Sequence, residues 1–449
     1  MTQLQSALLG DQHSDDYTIT RAEITSSRGY YPLDIVNVIA EFEVFETIEK
    51  PYLTGRIVIS DQMGIYDRFD FDGTEILDIE ITRNISGATP VTKKFILSSV
   101  ENTKKSNETN EAIQFHLIED ITFKSALTNV NKAYAGQPQE IIAKILKEYL
   151  NKDLLTNAFE DIQASMKVIV PNLDPIEALM WIRNRATTSK GYPFFLYSTF
   201  ASNNIFFTDI GTLLEQKILN DRYPFTYLPG VGSASATARL FQIYEYEYRN
   251  VENSLNLISN GVVGANHNFY DVTVAKYDKV KFNVHKDLYR SVSTINPKQP
   301  HPVLDEFSKY EDIKISDYES KNMFHIHSTL SQGRKIKSYS EEYTATEHKL
   351  KIIAQAAKLF MTKNPIEITV NGREFINGED TYSIGNNYRI LFKSNFDQNE
   401  KPTIDTKKSG DYLIHAAKHS FRNGRVFSRL LCSKITNYES NEWPDGAYT

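Results

Sequence analysis

The dipeptide Asn423-Gly424 restricts the fold of this chain more than any other feature of its sequence. It tolerates the positive φ angles that a two-residue hairpin turn demands. Strand-like runs flank it: Tyr412-Leu413-Ile414-His415 through His419-Ser420-Phe421 on one side, Val426-Phe427-Ser428-Arg429-Leu430-Leu431-Cys432 through Ile435 on the other. Neither run alternates cleanly. Both mix apolar and basic residues, as a sheet with one buried and one wetted face requires. The hairpin completes a strand-rich pattern that begins near Tyr17.

Between Tyr17 and about Val130 the signal is β. Ile35 to Glu46 ends in alternation, Gly55 to Ser60 is a short buried run, and Ile76 to Ile81 alternates after the turn at Asp72-Gly73. Phe95 to Val100 and Ile113 to Ile118 flank a polar loop. Five or more short strands with turns between them predict a small barrel or sandwich. The character changes at Pro138, which suits a first helical turn. Ile141, Ile142, Ile145, Leu146, Tyr149 and Leu150 then form one apolar stripe. A strand from Met166 to Val170 leads to Asp174-Pro175-Ile176-Glu177, an N-cap with Pro at N1 and Glu at N3, opening a helix expected to reach about Thr188. Tyr192 to Asp209 reads as an aromatic hairpin. Strands are expected again at Gln242–Tyr248, Ser254–Ser259 and Asp271–Tyr277. Residues 278–340 are polar and irregular, with Pro297, Pro300 and Pro302, and read as a long insertion. Thr344 to Glu347 forms a capping box for a helix with Leu350, Ile353, Ala357, Phe360 and Met361 on one face. Ile366–Val370 and Tyr388–Phe392 precede the final hairpin. The fold class expected is β-rich α+β.

At 449 residues the chain has room for two to four domains. The net charge of −7 argues against a dedicated nucleic-acid reader and permits a surface that DNA passes without sticking. Cys432 is the only cysteine, so an intrachain disulfide and a cysteine-rich zinc site are excluded, and a reducing cytoplasm is the natural folding compartment. Met1 to Asp16 carries three Asp and no Lys or Arg, unlike a secretory leader. No apolar run approaches the roughly twenty residues that span a bilayer.

Four places in this order carry a resemblance: the Ile141–Leu150 helix after the β section; the Val170-Pro171-Asn172-Leu173-Asp174-Pro175 entry to a helix that precedes the aromatic hairpin; Leu257-Ile258-Ser259-Asn260 upstream of Asn268 to Val274; and the helix Lys349–Met361 leading to the closing strands. On these the chain resembles the baseplate hub proteins of T-even-type contractile-tail phages, and more distantly the N-terminal half of injection-machine spikes. The resemblance spans about residues 17–437. It implies two tail-tube-like β-barrel domains (17–130, and 238–277 with 366–437), an α/β connecting domain (131–237), and an insertion with its helix (278–365). Residues 1–16 are then a mobile arm and 438–449 a C-terminal tail. It further implies a homotrimer adapting a hexameric tail tube, or tube-initiator proteins, to a trimeric cell-puncturing spike. Inner baseplate proteins surround it and DNA passes through without specific binding. Such a protein has no membrane binding of its own, resides in the virion tail baseplate and is made in the host cytoplasm. The alternatives are the hub of another contractile injection system and, in a different class, a tail-associated cell-wall hydrolase.

No cofactor, catalytic residue or metal site is assigned. His325-Ile326-His327 invites a metal because alternate strand residues share a face, and His285 and His301 could join them, yet two spaced histidines define no ligand set. The carboxylate pairs Asp15-Asp16, Glu119-Asp120 and Glu341-Glu342 lack the opposed geometry a glycosidase needs. Gly29, Gly55 and Gly64 precede no Gly-Lys-Ser/Thr, and Ser233 lacks the closing glycine of a nucleophile elbow. Cys432 reads as a packed thiol. Lys401, Lys407, Lys408, Lys418, Arg422, Arg425, Arg429 and Lys434 make a local basic run. It is either a docking face for an acidic partner or DNA, or a solvated edge in which Lys and Arg discourage strand addition. The insertion is expected to lie outside the ring, so that removing residues 285–335 leaves the fold intact.

Overall fold

A computed structural model describes residues 15–26, 28, 31–62, 64–65, 69–105, 111–156, 166–227, 240–248, 254–272, 275–289, 309–327, 345–361, 365–376, 382–394 and 403–438. The arm before Asp15, Gly29, Ser233, the three insertion prolines, His301, Glu341-Glu342, Thr344, Lys401 and the tail after Tyr438 lie outside these residues.

The N-terminal section holds β1 (Tyr17–Thr25), β2 (Ile39–Thr47), β3 (Thr54–Asp61), β4 (Ile76–Arg83), β5 (Val91–Lys105) and β6 (Glu111–Glu119). The connecting section holds α1 (Asp120–Ala126), β7 (Ala133–Gly136), α2 (Pro138–Ile145), β8 (Leu154–Thr156), β9 (Met166–Ile169), α3 (Pro175–Arg183), β10 (Phe194–Ser198), β11 (Ile205–Asp209) and α4 (Ile210–Glu215). Then come β12 (Phe225–Tyr227), β13 (Ile243–Tyr248), α5 (Ser254–Ser259), β14 (Gly264–Asp271), β15 (Lys276–Asn283), β16 (Lys321–His327) and α6 (Ala345–Met361). The last strands are β17 (Pro365–Asn371), β18 (Asn387–Phe392), β19 (Gly410–Arg422) and β20 (Arg425–Asn437).

Period-two burial builds the strands. In β3 every second residue is buried, and Gly55 among them must lack a Cβ, which would stand 2.6 Å from the Glu43 carbonyl oxygen. Pro365 opens β17, where a missing N–H is tolerated. At the final turn Asn423 and Gly424 have φ of 50° and 72°, the left-handed pair that joins β19 to β20. Helix ends follow their caps: the Asp174 carboxylate accepts from the Glu177 N–H at 3.0 Å, and Gln137 with Glu140 forms a capping box ahead of α2.

Among the described residues the main sheet has thirteen strands and contains the same five-strand order twice. In the first unit β2 pairs β3, β3 pairs β6, β6 pairs β5 and β5 pairs β4, all antiparallel. In the second unit β13 pairs β17, β17 pairs β20, β20 pairs β19 and β19 pairs β18, again all antiparallel. A register shift falls at the same place in each: between Ile39 and Glu41 of β2, and between Ile243 and Glu245 of β13. Such a bulge bends and twists a strand locally, so its recurrence gives both units similar curvature. The extra strands differ, since β1 meets β4 antiparallel whereas β12 meets β18 parallel. Each unit also curls toward closure, the second on itself and the first onto the β19–β20 turn. The Thr226 N–H of β12 donates to the Phe241 carbonyl at 2.9 Å, just before β13. The Asp16 N–H, before β1, donates to the Gly424 carbonyl at 2.7 Å. Pairing of β19 with β2 makes one continuous sheet of the two units.

Three cores result. Phe42, Ile57, Phe95 and Phe115 anchor the first; Tyr388, Tyr412, Phe225 and Phe282 belong to the second; Ile141, Leu146, Leu179 and Phe207 fill the connecting section. Strand β10 serves two of them, turning Phe194 and Leu196 to the connecting core and Phe195 and Tyr197 to the second.

Several expectations need correction. The final hairpin is shared: Phe421 and Val426 at its tip pack in the first core, while Leu413, Leu430 and Cys432 pack in the second. Ser254–Ser259 is a helix, and Asp271 ends β14 and pairs with Lys276, the first residue of β15. Those two strands join β16 in a separate three-stranded sheet outside the second unit. Helix α3 stops at Arg183 because Thr187 is taken into a bridge with Pro193. The described residues within 285–335 are tied to the fold: Leu288 is fully buried in the second core, and β16 pairs β14 along its length. Their removal exposes core.

Candidate functional site

The seam where β2 meets β19 joins the two units, and a buried polar chain runs beneath it. Register places Phe45 opposite Lys418 and Val44 opposite His419. His419 Nδ1 lies 2.7 Å from Ser428 Oγ, and its Nε2 lies 3.1 Å from Glu46 Oε1. The other Glu46 oxygen accepts from the Phe200 N–H at 2.6 Å. A neutral imidazole with its proton on Nε2 satisfies every partner: it donates to the carboxylate and accepts from the serine hydroxyl.

A serine, a histidine and a glutamate in a row raise a hydrolase reading, and the geometry answers it. Ser428 is fully buried, with Gly372 packed on its hydroxyl, so no substrate reaches Oγ. The chain is a polar staple between strands. Around it, Lys418 and Arg56 meet Glu43 at 2.5 and 2.8 Å, and Arg83 of β4 meets Glu374, after β17, through two bonds of 3.1 and 2.5 Å. Above the seam opens a groove of about 430 Å³ lined by Phe45, Lys50, Tyr52, Ala416, Lys418 and Leu431.

The remaining sequence candidates resolve into structural roles. Asp16 accepts from the Val426 N–H at 3.2 Å, and Glu119 accepts from the Leu53 N–H at 2.9 Å and pairs with Lys152. Burial pushes the Cys432 thiol up, the opposite of an activated nucleophile. The hairpin strands that carry Lys418, Arg422, Arg425, Arg429 and Lys434 are interior to the sheet, which corrects the edge reading, while Lys407, Arg422, Arg425 and Arg429 remain solvated. Within the basic run, Lys418 pairs with Glu43, Arg429 with Glu367, Arg425 with Asp16 and Lys408 with Asp405, and the Lys434 ammonium donates to the Lys407 carbonyl.

His325 finds a partner that sequence reading missed. Its Nε2 lies 3.1 Å from Nδ1 of His267, on neighbouring strands β14 and β16. The ring centroids are 5.4 Å apart and the planes differ by 12°. The centroid separation exceeds the N···N distance by about one ring width, so the two nitrogens face head-on. They share a hydrogen and do not converge on a third point where a cation could sit. Among the described residues no three His, Cys, Asp or Glu gather into a possible metal cluster. Fifty-eight residues separate the pair, and no local pattern announces it.

Burial, then the neighbouring His325, holds His267 down at about 4, and burial alone holds His415 at about 4. The unfolded chain therefore takes up protons first as pH falls. Stability from neutral His415 is complete above about pH 6.5 and is lost as pH falls toward 4. Between pH 7 and pH 5 this single group should remove about 2 kcal/mol. Urea midpoints at the two pH values should differ less in His415→Gln than in the native chain.

No protein-family model matches the chain, and no curated protein sequence does. Solved structures do. The chain is similar to the 43 kDa tail protein of prophage MuSo2 from Shewanella oneidensis at TM-score 0.51 and 10% identity, over 92% of this chain and 98% of that one. A tail protein from Neisseria meningitidis follows at TM-score 0.48 and 12% identity, covering 96% and 98%. A Francisella PdpA–VgrG complex aligns at TM-score 0.41 and 11% identity, covering 98% of this chain and 62% of that one. The β-rich α+β fold expected from the sequence is thus shared with the Shewanella prophage tail protein along nearly the whole of both chains.

Proposed function

We propose that this chain is a structural hub of a contractile phage tail, without an enzymatic step. Three copies form a ring between a hexameric tube, or its initiator proteins, and a trimeric spike; inner baseplate proteins surround it and DNA passes through. The observation that carries this reading is the doubled strand order. A threefold body meets a sixfold one without frustrating half its contacts only if each subunit presents two similar faces. Units β2-β3-β6-β5-β4 and β13-β17-β20-β19-β18, with matching bulges, supply such a pair. The domain division 17–130, 131–237 and 238–437 belongs to this proposal, except that β12 joins the second unit, residues 249–364 interrupt that unit and the hairpin tip is lent to the first.

Sedimentation velocity on the purified chain tests it. The expected mass is three times the 51.4 kDa of one copy. A dimer would sink the hub reading, and so would peptidoglycan clearing abolished by a single carboxylate substitution.

A further inference from the structure

The three-stranded sheet β15-β14-β16 turns one face to the second core through Phe269 and Phe282. On the opposite face, alternation and register bring four large side chains together. Tyr270 stands opposite Tyr277 on β15 and Ile326 on β16, and Phe324 is the next residue on that side of β16. Phe324 and Ile326 are 76% and 75% exposed, Tyr277 56% and Tyr270 43%. The platform is held in place within its own face: the Tyr277 hydroxyl donates to Asn268 Oδ1 at 2.5 Å, and Asn268 Nδ2 donates to the Met323 carbonyl at 3.3 Å.

Each such side chain carries roughly 150–250 Å² of surface, so the cluster leaves about 500 Å² open. That matches the largest apolar patch of a typical monomer, ~300–600 Å², but falls short of the ~800 Å² per partner of a stable complex. The patch is therefore the centre of an interface that needs a charged rim. Its rim on β15 is Lys279 and Lys281, which share the single carboxylate of Glu319 at 4.0 and 3.2 Å. Two cations on one anion leave a net positive edge. A second copy brought face to face would set that edge against its own likeness; a partner bearing carboxylates would complete it.

We propose that this face docks a different protein, through a segment whose apolar side chains are flanked by Asp or Glu. The surface is separate from the seam and from the doubled units, so the inference goes beyond the hub reading and stands without it.

Random-peptide display against the full chain tests this, followed by fluorescence anisotropy on the selected consensus peptide. The expected consensus pairs Asp or Glu with Ile, Leu, Phe or Trp. Its affinity should fall at least tenfold in Phe324→Ser/Ile326→Ser and severalfold in Lys279→Gln/Lys281→Gln, and should weaken with salt. All four side chains are exposed, so unchanged thermal melting should show that these variants keep the fold. A basic consensus, no enrichment, or binding indifferent to Phe324 and Ile326 would overturn the proposal. So would a sedimenting mass that drops in Phe324→Ser/Ile326→Ser, which would make the face a contact between copies. Binding to phosphatidylcholine–phosphatidylglycerol vesicles that depends on the same two residues would also overturn it.

Discussion

Phe421→Ala, in the last hairpin of the chain, is expected to destabilise the N-terminal unit by about 3–5 kcal/mol. Phe421 is 1% exposed and packs against Phe42, Tyr17 and Phe200 at centroid distances of 5.5, 5.1 and 5.7 Å. Truncation leaves a cavity among aromatic rings whose backbones belong to three different sections, so little collapse can refill it. Two of those partners lie about 380–400 residues upstream of Phe421. Hydrogen exchange should therefore report loosening in β2 and β3, with β13 and β17 affected less. If amides of the second unit alone lose protection, the hairpin tip does not belong to the first core. Phe421→Leu, which keeps most of the volume, should cost less than half as much.

Glu46→Ala is the second large effect. Its carboxylate accepts from the Phe200 N–H and from His419 Nε2, both buried. Alanine leaves two donors without partners, at about 1–3 kcal/mol each, for a loss of about 3 kcal/mol or more. Glu46→Gln keeps one acceptor oxygen and should cost about half that. Exchange at the Phe200 amide separates this cause from general loosening: it should accelerate in Glu46→Ala well before the global transition. An amide that stays as protected as in the native chain would mean that the staple carries no weight.

The same two residues show where local reading stops. Glu46 and His419 are 373 positions apart. Nothing near either one says that a carboxylate will meet an imidazole, because that contact exists only once β19 lies beside β2. The basic run tells the same story. Its cations looked like an exposed edge or a docking face when counted along the chain. Pairing with β17 and β2 put Glu367 and Glu43 beside them and made the strands interior.

Helix and strand identity failed only in particular places. Leu255, Leu257 and Ile258 form an apolar run too short for its period to decide, and α5 took them as a helix. Helix α1 carries a single turn of apolar signal at Ile121 to Phe123 directly after a strand, inside the stretch up to Val130 whose signal is β. The insertion failed for another reason. Polar and irregular composition hid Phe282, Val284 and Leu288, whose burial ties the segment to the second core.

What the sequence determined by itself is local: the turn at Asn423-Gly424, the cap at Asp174, the helical start at Pro138, the period-two face of β4, and hence a β-rich fold with a helical connector. These follow from φ preferences, hydrogen bonds within a few residues, and alternation, all of which are written in adjacent letters. Only the tertiary structure decided that two units share one strand order, that the last hairpin is divided between two cores, that His325 faces His267, and that Phe324, Ile326, Tyr270 and Tyr277 come together on one open face. Those are matters of register between strands tens to hundreds of residues apart, and a shift of one residue would turn each of these side chains to the other side of its sheet.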